Sequence, residues 1–331
     1  MLCSMDPSRT GSLSPDFPAP RMVETGNIEL AVYEMGDGPA IVLVHGFPEL
    51  AYSWRHQLPV LAAAGYRAIA PDMRGYGGSG KPPQVTDYAI DHLIGDLAGL
   101  CDALSIDRAI FIGHDWGAMV VWQMALLAPG RMAGLINLNI PHIPRPPINP
   151  ITTMRFRLGK DFYIVNFQDS DEADRRFAAD PRRFIDTMMR RRQFSPGGSR
   201  EKPARKRPLS LIQALDNDHP AGEPLLSAAE LDVYASAFAR GGFTGPINWY
   251  RNWSRNWKRM KGVDQTVHVP ALFVGAVHDR LISRKQIDAM KPHVADLEME
   301  MIDRCGHWTQ QERPDDVNRI MLDWLARRYP R

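Results

Sequence analysis

The segment that most constrains the fold is Gly113-His114-Asp115-Trp116-Gly117, which lies between two differently patterned stretches. Residues 109–112 form a short apolar run that predicts a buried strand, and the apolar spacing of residues 115–127 predicts a helix. Glycines on both flanks allow the tight strand-to-helix turn of a nucleophile elbow, which exposes the central side chain. We therefore predict that Asp115 is a carboxylate nucleophile at a strand end; the alternative is that it only caps the helix.

The rest of the chain predicts an α/β fold with a mostly parallel sheet and helices on both faces. Strands are predicted at 28–33, 40–44, 67–70, 109–112 and 135–138, and crossover helices at 53–64, 88–104 and 115–127. A proline-dense segment then opens a long helical, charged stretch without a clear strand. Strands resume at 271–275 and 299–302, before a final helix at 315–327.

These patterns divide the chain into four parts. We predict a flexible N-terminal extension over residues 1–26, because it is polar and turn-rich. The core of the fold is expected in two pieces, residues 27–140 and 266–331. An inserted helical cap, or lid, is expected over residues 141–265.

A catalytic triad is predicted from the order of the polar residues at strand ends. Asp279 follows the strand predicted at 271–275, and His307 follows the strand predicted at 299–302. In α/β-hydrolases the nucleophile, the acid and the histidine follow one another in this order. We therefore expect His307 to be the general base and Asp279 to orient it, because carboxyl ends of parallel strands meet at one sheet edge.

An oxyanion hole is predicted from Val44-His45-Gly46-Phe47-Pro48, which also lies at a strand end. Folds of this kind supply one backbone N–H from that position and a second from the residue after the nucleophile. We therefore expect the backbone N–H groups of Phe47 and Trp116 to bind an oxyanion.

Composition limits the partners and the compartment. The chain has 40 Lys and Arg against 38 Asp and Glu, too little net charge to predict nucleic-acid binding. No apolar run is long enough to span a membrane. Cys3, Cys101 and Cys305 are widely separated, which predicts neither disulfides nor a zinc site and favours a reducing cytoplasm. We expect no cofactor and no metal, and the oligomeric state stays open between monomer and homodimer.

Several segments together resemble the epoxide hydrolases of the α/β-hydrolase superfamily, and closely the hydrolase domain of soluble epoxide hydrolase. The resemblance spans most of residues 27–330. It rests on HGFPE with YSWRHQ (45–57), APDMRGYGGS (70–79), GHDWG (113–117), FYIVNFQ (162–168), GFTGPINWYRNWSRNW (242–257) and CGHWTQ (305–310).

The resemblance implies an activity and further site residues. Tyr163 and Tyr250 match two cap tyrosines whose hydroxyls bond the epoxide oxygen in that family. It implies that Asp115 opens the epoxide to form an ester, and that water activated by His307 hydrolyses this ester to a vicinal diol. The small-molecule epoxide and water are the expected partners. The substrate pocket is expected to be lined by His45, Pro48, Trp249 and Trp308.

Two other functions stay open at this stage. A dehalogenase on the same scaffold also uses a catalytic aspartate, a histidine and a cap, and a non-catalytic ligand-binding homologue would keep the fold alone. An esterase is disfavoured, because Ser rather than Asp stands at the elbow of such enzymes. Residues 175–207, with 12 Arg and Lys against three acidic residues, could steer an anionic ligand, but a solvated face is the better expectation.

Overall fold

The computed structural model describes residues 17–191 and 209–330. Its strands are β1 (Arg21–Glu24), β2 (Glu29–Met35), β3 (Ala40–Val44), β4 (Arg67–Pro71), β5 (Ala109–His114), β6 (Met132–Leu138), β7 (Arg190–Arg191), β8 (Glu223–Pro224), β9 (Ala271–Ala276) and β10 (Leu297–Ile302). Eight of them form one sheet in the order β1-β2-β4-β3-β5-β6-β9-β10, while β7 and β8 pair with each other. Strand β2 pairs antiparallel with both of its neighbours, β1 and β4. The other pairs in the large sheet are parallel.

Helices occupy most of the remaining described chain. They are α1 (Leu58–Ala63), α2 (Ile90–Ala103), α3 (Trp116–Leu127), α4 (Pro150–Leu158), α5 (Tyr163–Asp169), α6 (Glu172–Ala179), α7 (Pro181–Met188), α8 (Leu211–Leu215), α9 (Ala228–Gly241), α10 (Thr244–Arg251), α11 (Trp253–Arg259), α12 (Arg284–Met290), α13 (Thr309–Glu312) and α14 (Pro314–Arg328). Short 3-10 helices lie at Ala51–Trp54, Val85–Tyr88, Pro129–Arg131 and Lys291–His293.

The central strands are apolar on both faces because helices cover both sides of the sheet. All six residues of β5 and all six of β9 are buried. A strand that is covered on both faces needs a continuous apolar run instead of alternating polar and apolar residues. The predicted fold class, a mostly parallel sheet covered by helices, is therefore confirmed.

The predicted flexible extension is wrong for its last residues. Residues 21–24 form β1, which pairs antiparallel with β2, and Val23 is buried. Further upstream, the ring of Phe17 lies 5.0 Å from the rings of Tyr33 and Tyr52. Only one of the four β1 side chains is buried, so the strand has no apolar run to reveal it. Residues 1–16 lie outside the described chain.

The helix predicted at 53–64 is also wrong in part. A 3-10 helix covers Ala51–Trp54, and α1 begins only at Leu58. Pro59 stands in the first turn of α1, where its missing N–H costs nothing and its fixed φ suits a helix start. The proline therefore divides the predicted helix into two elements.

The insertion, defined as residues 141–265, carries α4 to α11 between β6 and β9. Aromatic rings fill its interior: Phe177 stacks on Phe184 at 3.9 Å, and Phe238 stacks on Phe243 at 4.5 Å. Phe184 and Phe243 also meet edge to face at 5.0 Å, which joins the two stacks into one cluster. The strands β7 and β8, of two residues each, were not predicted, because so short a pair leaves no period in the sequence.

The arginines described in the basic segment 175–207 are mostly paired with acidic side chains. Arg175, Arg176, Arg182, Arg183 and Arg190 each form an ion pair, with Asp171, Asp216, Asp232, Asp218 and Asp186 respectively. This pairing fits a solvated face. Residues 192–208, which hold the rest of the segment, lie outside the described chain.

No helix within 17–191 and 209–330 is long and apolar enough to cross a membrane. In the same ranges no group of three His, Cys, Asp or Glu side chains is placed to hold a metal ion. Cys101 and Cys305 are free, buried thiols, and Cys3 lies outside the described residues.

Candidate active site

Asp115 stands in a strained turn between β5 and α3. Its backbone adopts φ 51° and ψ −121°, a conformation that L-residues rarely take and that is found mostly where function requires it. The turn tolerates no bulk beside it: a Cβ on Gly117 would lie 1.9 Å from the Val44 carbonyl oxygen, and one on Gly46 would lie 2.5 Å from the Cβ of Asp115. Glycine is therefore required at these two positions for steric reasons.

The carboxylate of Asp115 points to residues 45–48, named here the oxyanion loop because the oxyanion hole is predicted there. It makes no capping hydrogen bond to α3; its Oδ1 accepts a hydrogen bond of 2.9 Å from the backbone N–H of Phe47. The alternative, that Asp115 only caps the helix, is therefore wrong. The peptide bond between Phe47 and Pro48 is cis. Trp116, the second expected oxyanion donor, is the first residue of α3.

His307 lies between Asp115 and Asp279, the two aspartates predicted to be catalytic. Its Nδ1 is 3.0 Å from Asp279 Oδ2, and its Nε2 is 3.6 Å from Asp115 Oδ2. Asp279 follows β9 and His307 follows β10, so the carboxyl ends of three parallel strands bring these residues together. The structure thus places the predicted triad residues in contact, and their catalytic roles remain predictions.

The ionisation of Asp279 and His307 is coupled. Burial raises the pKa of Asp279, but the charge of His307 and its hydrogen bond outweigh this effect and lower that pKa to about 2. Burial lowers the pKa of His307, but the charge of Asp279 and the contact with Asp115 raise it well above its ordinary value. Asp279 is therefore ionised at neutral pH and favours a protonated His307 in the free enzyme.

Asn139 holds Asp279 and was missed by the sequence reasoning. Its side-chain amide donates a 2.7 Å hydrogen bond to Asp279 Oδ2, and its oxygen accepts one of 2.6 Å from Thr309 Oγ1. The backbone N–H of Leu281 donates to the other carboxylate oxygen of Asp279 at 2.8 Å. One signal was available: Asn139 directly follows β6, whose carboxyl end lies at the same edge of the sheet.

A buried pair behind the triad, Glu49 and His114, was also missed as a functional feature. His114 Nδ1 lies 2.7 Å from Glu49 Oε2, and His114 Nε2 lies 2.8 Å from the carbonyl oxygen of His307. The carbonyl oxygen of His307 can only accept, so His114 Nε2 donates to it. Burial raises the pKa of Glu49, but His114 and the N–H of Gly46 lower it to about 2. This pair fixes the backbone of the predicted base.

Tyr163 and Tyr250 meet above this site, although they belong to different helices of the insertion. Tyr163 begins α5 and Tyr250 lies in α10, and their ring centroids are 5.8 Å apart. Gln168 joins the two helices by donating to the carbonyl oxygen of Tyr250 at 2.8 Å. The ring of Tyr250 also lies edge to face with Trp116 at 5.0 Å and with Phe47 at 5.4 Å.

Both phenols are held in their neutral form. Burial, followed by the charge of Asp115, raises the pKa of Tyr163. Burial raises the pKa of Tyr250 as well, with Tyr163 and Asp115 adding to the effect. Each phenol therefore keeps its proton and can donate a hydrogen bond near Asp115.

The four predicted pocket residues differ in what they offer a substrate. Both ring nitrogens of His45 are bonded to backbone groups, Nδ1 to Gly46 O and Nε2 to Met73 N, at 2.9 Å each. The indole N–H groups of Trp249 and Trp308 likewise donate to backbone carbonyls. Trp308 packs on His307 with ring centroids 4.8 Å apart. His45 and Trp249 are 0% exposed and Trp308 is 4% exposed, so of these three only Trp308 has any free surface; Pro48 is buried beside Phe47.

Comparison with known proteins identifies the family. The α/β-hydrolase fold family matches residues 39–314. Epoxide hydrolase A of Mycobacterium tuberculosis is 41% identical over 93% of this chain and 98% of its own length. Bifunctional epoxide hydrolase 2 of Sus scrofa is 35% identical over 90% of this chain, which spans 53% of that protein.

Solved structures indicate the same family. The crystal structure of epoxide hydrolase A from Mycobacterium thermoresistibile superposes with a TM-score of 0.83 at 41% identity, covering 93% of this chain and 98% of that one. Potato epoxide hydrolase I gives a TM-score of 0.81 at 31% identity, covering 93% and 99%. The resemblance found in the sequence motifs is confirmed: this chain belongs to the epoxide hydrolases of the α/β-hydrolase fold family.

Proposed function

We propose that this enzyme converts an epoxide and water to a vicinal diol through a covalent ester on Asp115. The observation that carries the proposal is a pair of neutral phenols, the partly buried Tyr163 and the buried Tyr250, near a carboxylate that a histidine and a second aspartate support. A carboxylate can displace an sp³ carbon, and two phenols can stabilise the oxygen that leaves it. The insertion that holds the phenols then acts as the cap.

The two oxygens of Asp115 take different parts in the first step. Oδ1 is held by the N–H of Phe47, so Oδ2 is the nucleophile. Oδ2 forms a bond to an epoxide carbon while the bond from that carbon to the ring oxygen breaks. Tyr163 and Tyr250 donate hydrogen bonds to the developing alkoxide, which takes the proton of one phenol to become the first hydroxyl of the product and leaves a phenolate.

Hydrolysis of the ester uses the histidine. His307 removes a proton from water, and the resulting hydroxide attacks the carboxyl carbon of Asp115. Negative charge then develops on Oδ1, where the N–H groups of Phe47 and Trp116 stabilise it. The bond between that carbon and Oδ2 breaks, so Oδ2 leaves as the second hydroxyl of the diol. His307 returns its proton to this oxygen, and the oxygen of the water stays on Asp115. The remaining proton of the water leaves the Asp115 carboxyl group and restores the phenol, so the enzyme returns to its starting state.

The surroundings of the site favour an apolar epoxide. Phe47, Trp116 and Phe167 contact the two phenols through their rings. These neighbours are aromatic side chains, so the surroundings of the two phenols are mainly apolar. Such surroundings bind substituents by burying apolar surface. An alkyl, aryl or lipid-derived epoxide is the expected substrate.

The decisive experiment uses His307→Gln, which keeps the nucleophile and both phenols but lacks the base. The variant is exposed to a panel of epoxides and haloalkanes, its intact mass is measured, and the labelled residue is mapped by peptide digestion. We expect the mass of a whole epoxide to be added on Asp115, because attack survives while hydrolysis fails. The control is His307→Gln combined with Asp115→Ala, which should gain no mass.

Each other outcome points to a different function. A gain equal to a haloalkane minus the hydrogen halide would make the protein a dehalogenase. No adduct, together with no diol from wild-type enzyme, would favour a non-catalytic ligand-binding homologue. Full turnover by His307→Gln would disprove the role given to His307.

A further inference from the structure

The four residues of α13, just beyond His307, are polar, and none of them is exposed. Thr309 bonds to Asn139, and Gln310 donates to Glu49 Oε1 at 2.7 Å. The Glu312 carboxylate accepts from the backbone N–H groups of Gly306 and Trp308, at 2.9 and 3.0 Å. Buried polar groups of this kind are costly unless they are satisfied, so their bonds fix the conformation of the segment.

Gln311 differs from these neighbours because its amide contacts two parts of the molecule. Its Nε2 donates to Glu49 Oε1 at 3.2 Å, on the side of the triad. Its Oε1 accepts a 2.7 Å hydrogen bond from Arg55 Nη1 and a longer one, 3.4 Å, from the hydroxyl of Tyr234 in α9. Gln311 therefore lies between the insertion and Glu49.

Helix α9 is anchored to the core around Gln311. Arg55 Nε donates to Glu230 Oε1 at 2.6 Å, and the hydroxyls of Ser53 and Tyr234 are 2.7 Å apart. The side chain of Arg55 is 7% exposed and that of Glu230 is 23% exposed. Breaking such a shielded ion pair by removing one partner costs more than breaking a surface pair. The contact is thus a specific docking point for α9.

A continuous set of hydrogen bonds leads from this docking point to the predicted base. Gln311 bonds to Glu49, Glu49 to His114, and His114 to the carbonyl oxygen of His307. We propose that Gln311 is a positioning residue that makes the histidine-dependent step sensitive to the docking of α9. This inference rests on the proposed function, because it concerns the second of the two chemical steps.

The two steps should respond differently to a change at Gln311. Ester formation needs Asp115 and the two phenols, and none of these is bonded to Gln311. Ester hydrolysis also needs His307 at the correct distance from the attacking water, and small displacements of a reacting group slow a reaction strongly. A purely structural role would instead lower stability and leave the ratio of the two rates unchanged.

The test measures both steps in Gln311→Met, which keeps the length of the side chain and removes all its hydrogen bonds. Rapid mixing of an excess of enzyme with an epoxide that the wild-type enzyme turns over gives the rate of ester formation from the rise of the ester and the rate of hydrolysis from its decay. We expect hydrolysis to slow about tenfold, while ester formation stays unchanged. Equal slowing of both steps, or no slowing of hydrolysis in a folded variant, would overturn the proposal.

Tyr234→Phe gives a second test with less risk to folding, because it removes only the hydroxyl that bonds to Ser53 and Gln311. We expect a smaller slowing of hydrolysis, and less than the product of the two effects when it is combined with Gln311→Met. Multiplying effects would show that the two residues act independently and would contradict the proposal.

A matched control separates positioning from stability. Asn318→Leu removes a buried amide that donates to His56 O, outside this set of bonds. It should lower the melting temperature without changing the ratio of the two rates. If the wild-type enzyme forms no ester, the proposed function fails; if it forms and hydrolyses one but Gln311→Met keeps the same ratio, only this inference fails.

Discussion

The two halves of the proposed active site are held in place by different forces. The half on the sheet, Asp115, His307 and Asp279, is fixed by directed hydrogen bonds, several of them charged. The half on the insertion, Tyr163 and Tyr250, is fixed mainly by ring contacts among aromatic side chains. The ionisable groups of the first half lie at strand ends, and the neutral phenols of the second half lie on helices.

The difference follows from what each half must do. A buried charge is tolerated only with partners, and Asp279 accordingly has three, from Asn139, Leu281 and His307. A buried phenol carries no charge, so apolar rings can surround it at little cost while they keep its proton in place. Substitutions in the first half should therefore change rates, and substitutions among the rings of the second half should change stability as well.

The largest effect is expected from Asp279→Asn, which leaves the shape of the site intact. Without the carboxylate, His307 loses the partner that sets its tautomer and stabilises its protonated form. We expect kcat to fall about 10⁴-fold at neutral pH, with the ester accumulating on Asp115. Single-turnover kinetics measures the slowed hydrolysis, and intact mass measures the ester that accumulates on Asp115.

Asp264→Asn is the control for this change, since Asp264 lies on the surface and its side chain accepts a hydrogen bond from Thr266 N. It should retain wild-type kcat. A kcat for Asp279→Asn near that of wild type would mean that Asp279 does not support the base.

The next effect is expected from the double variant Tyr163→Phe, Tyr250→Phe. Both rings stay, so the aromatic packing is kept while the donors to the epoxide oxygen are lost. Loss of acid assistance should slow ester formation about a thousandfold. The burst of ester in rapid-mixing experiments measures this rate.

Loss of one phenol hydroxyl, in Tyr163→Phe or Tyr250→Phe alone, should slow ester formation less than the double change, because one donor remains. The melting temperature should hardly change in any of the three variants. An undiminished burst in the double variant would exclude the phenols as donors.

A smaller effect, mainly on stability, is expected from Phe184→Ala in α7. Phe184 is fully buried, stacks on Phe177 and lies 6.2 Å from the ring of Phe47. Its removal leaves a cavity between the insertion and the oxyanion loop. We expect a loss of about 3 kcal/mol in the free energy of unfolding, measured by denaturant titration.

Phe156→Ala in α4 is the matched control, because that side chain is 89% exposed. It should change stability by less than about 0.5 kcal/mol. Equal losses in the two variants would show that the aromatic cluster does not stabilise the insertion.

The smallest effect is expected on the pH dependence of ester hydrolysis. His307 must be neutral to act as a base, so hydrolysis is lost as pH falls through its pKa. In the free enzyme the carboxylate of Asp115 helps to raise that pKa, whereas in the ester this charge is gone. The acid limb of ester hydrolysis should therefore lie below the pKa of His307 that NMR titration gives for the free enzyme.

Asp115→Asn supplies the control for the pH prediction. The NMR pKa of His307 in that variant should be lower than in the wild-type enzyme and closer to the acid limb of hydrolysis. An identical pKa in both proteins would mean that Asp115 exerts no influence on His307.

Most of the sheet and the contact among Asp115, Asp279 and His307 could be predicted from the sequence. Buried strands such as β5 and β9 leave apolar runs, and the elbow leaves its pair of glycines. Glu49 and Gln311 could not be assigned, because their partners lie far away in the chain: Glu49 and Gln311 are 262 residues apart. Hydrogen-bond networks of this kind depend on the folded arrangement and leave no local period.

The strained elbow also has a consequence for directed evolution. Gly46, Gly113 and Gly117 each lack room for a Cβ, with neighbouring atoms at 2.6 Å or less. A library that randomises residues close to Asp115 would therefore consist largely of misfolded clones. Variants with a new regio- or enantiopreference should be sought on the insertion, whose aromatic side chains can be exchanged for others of similar volume.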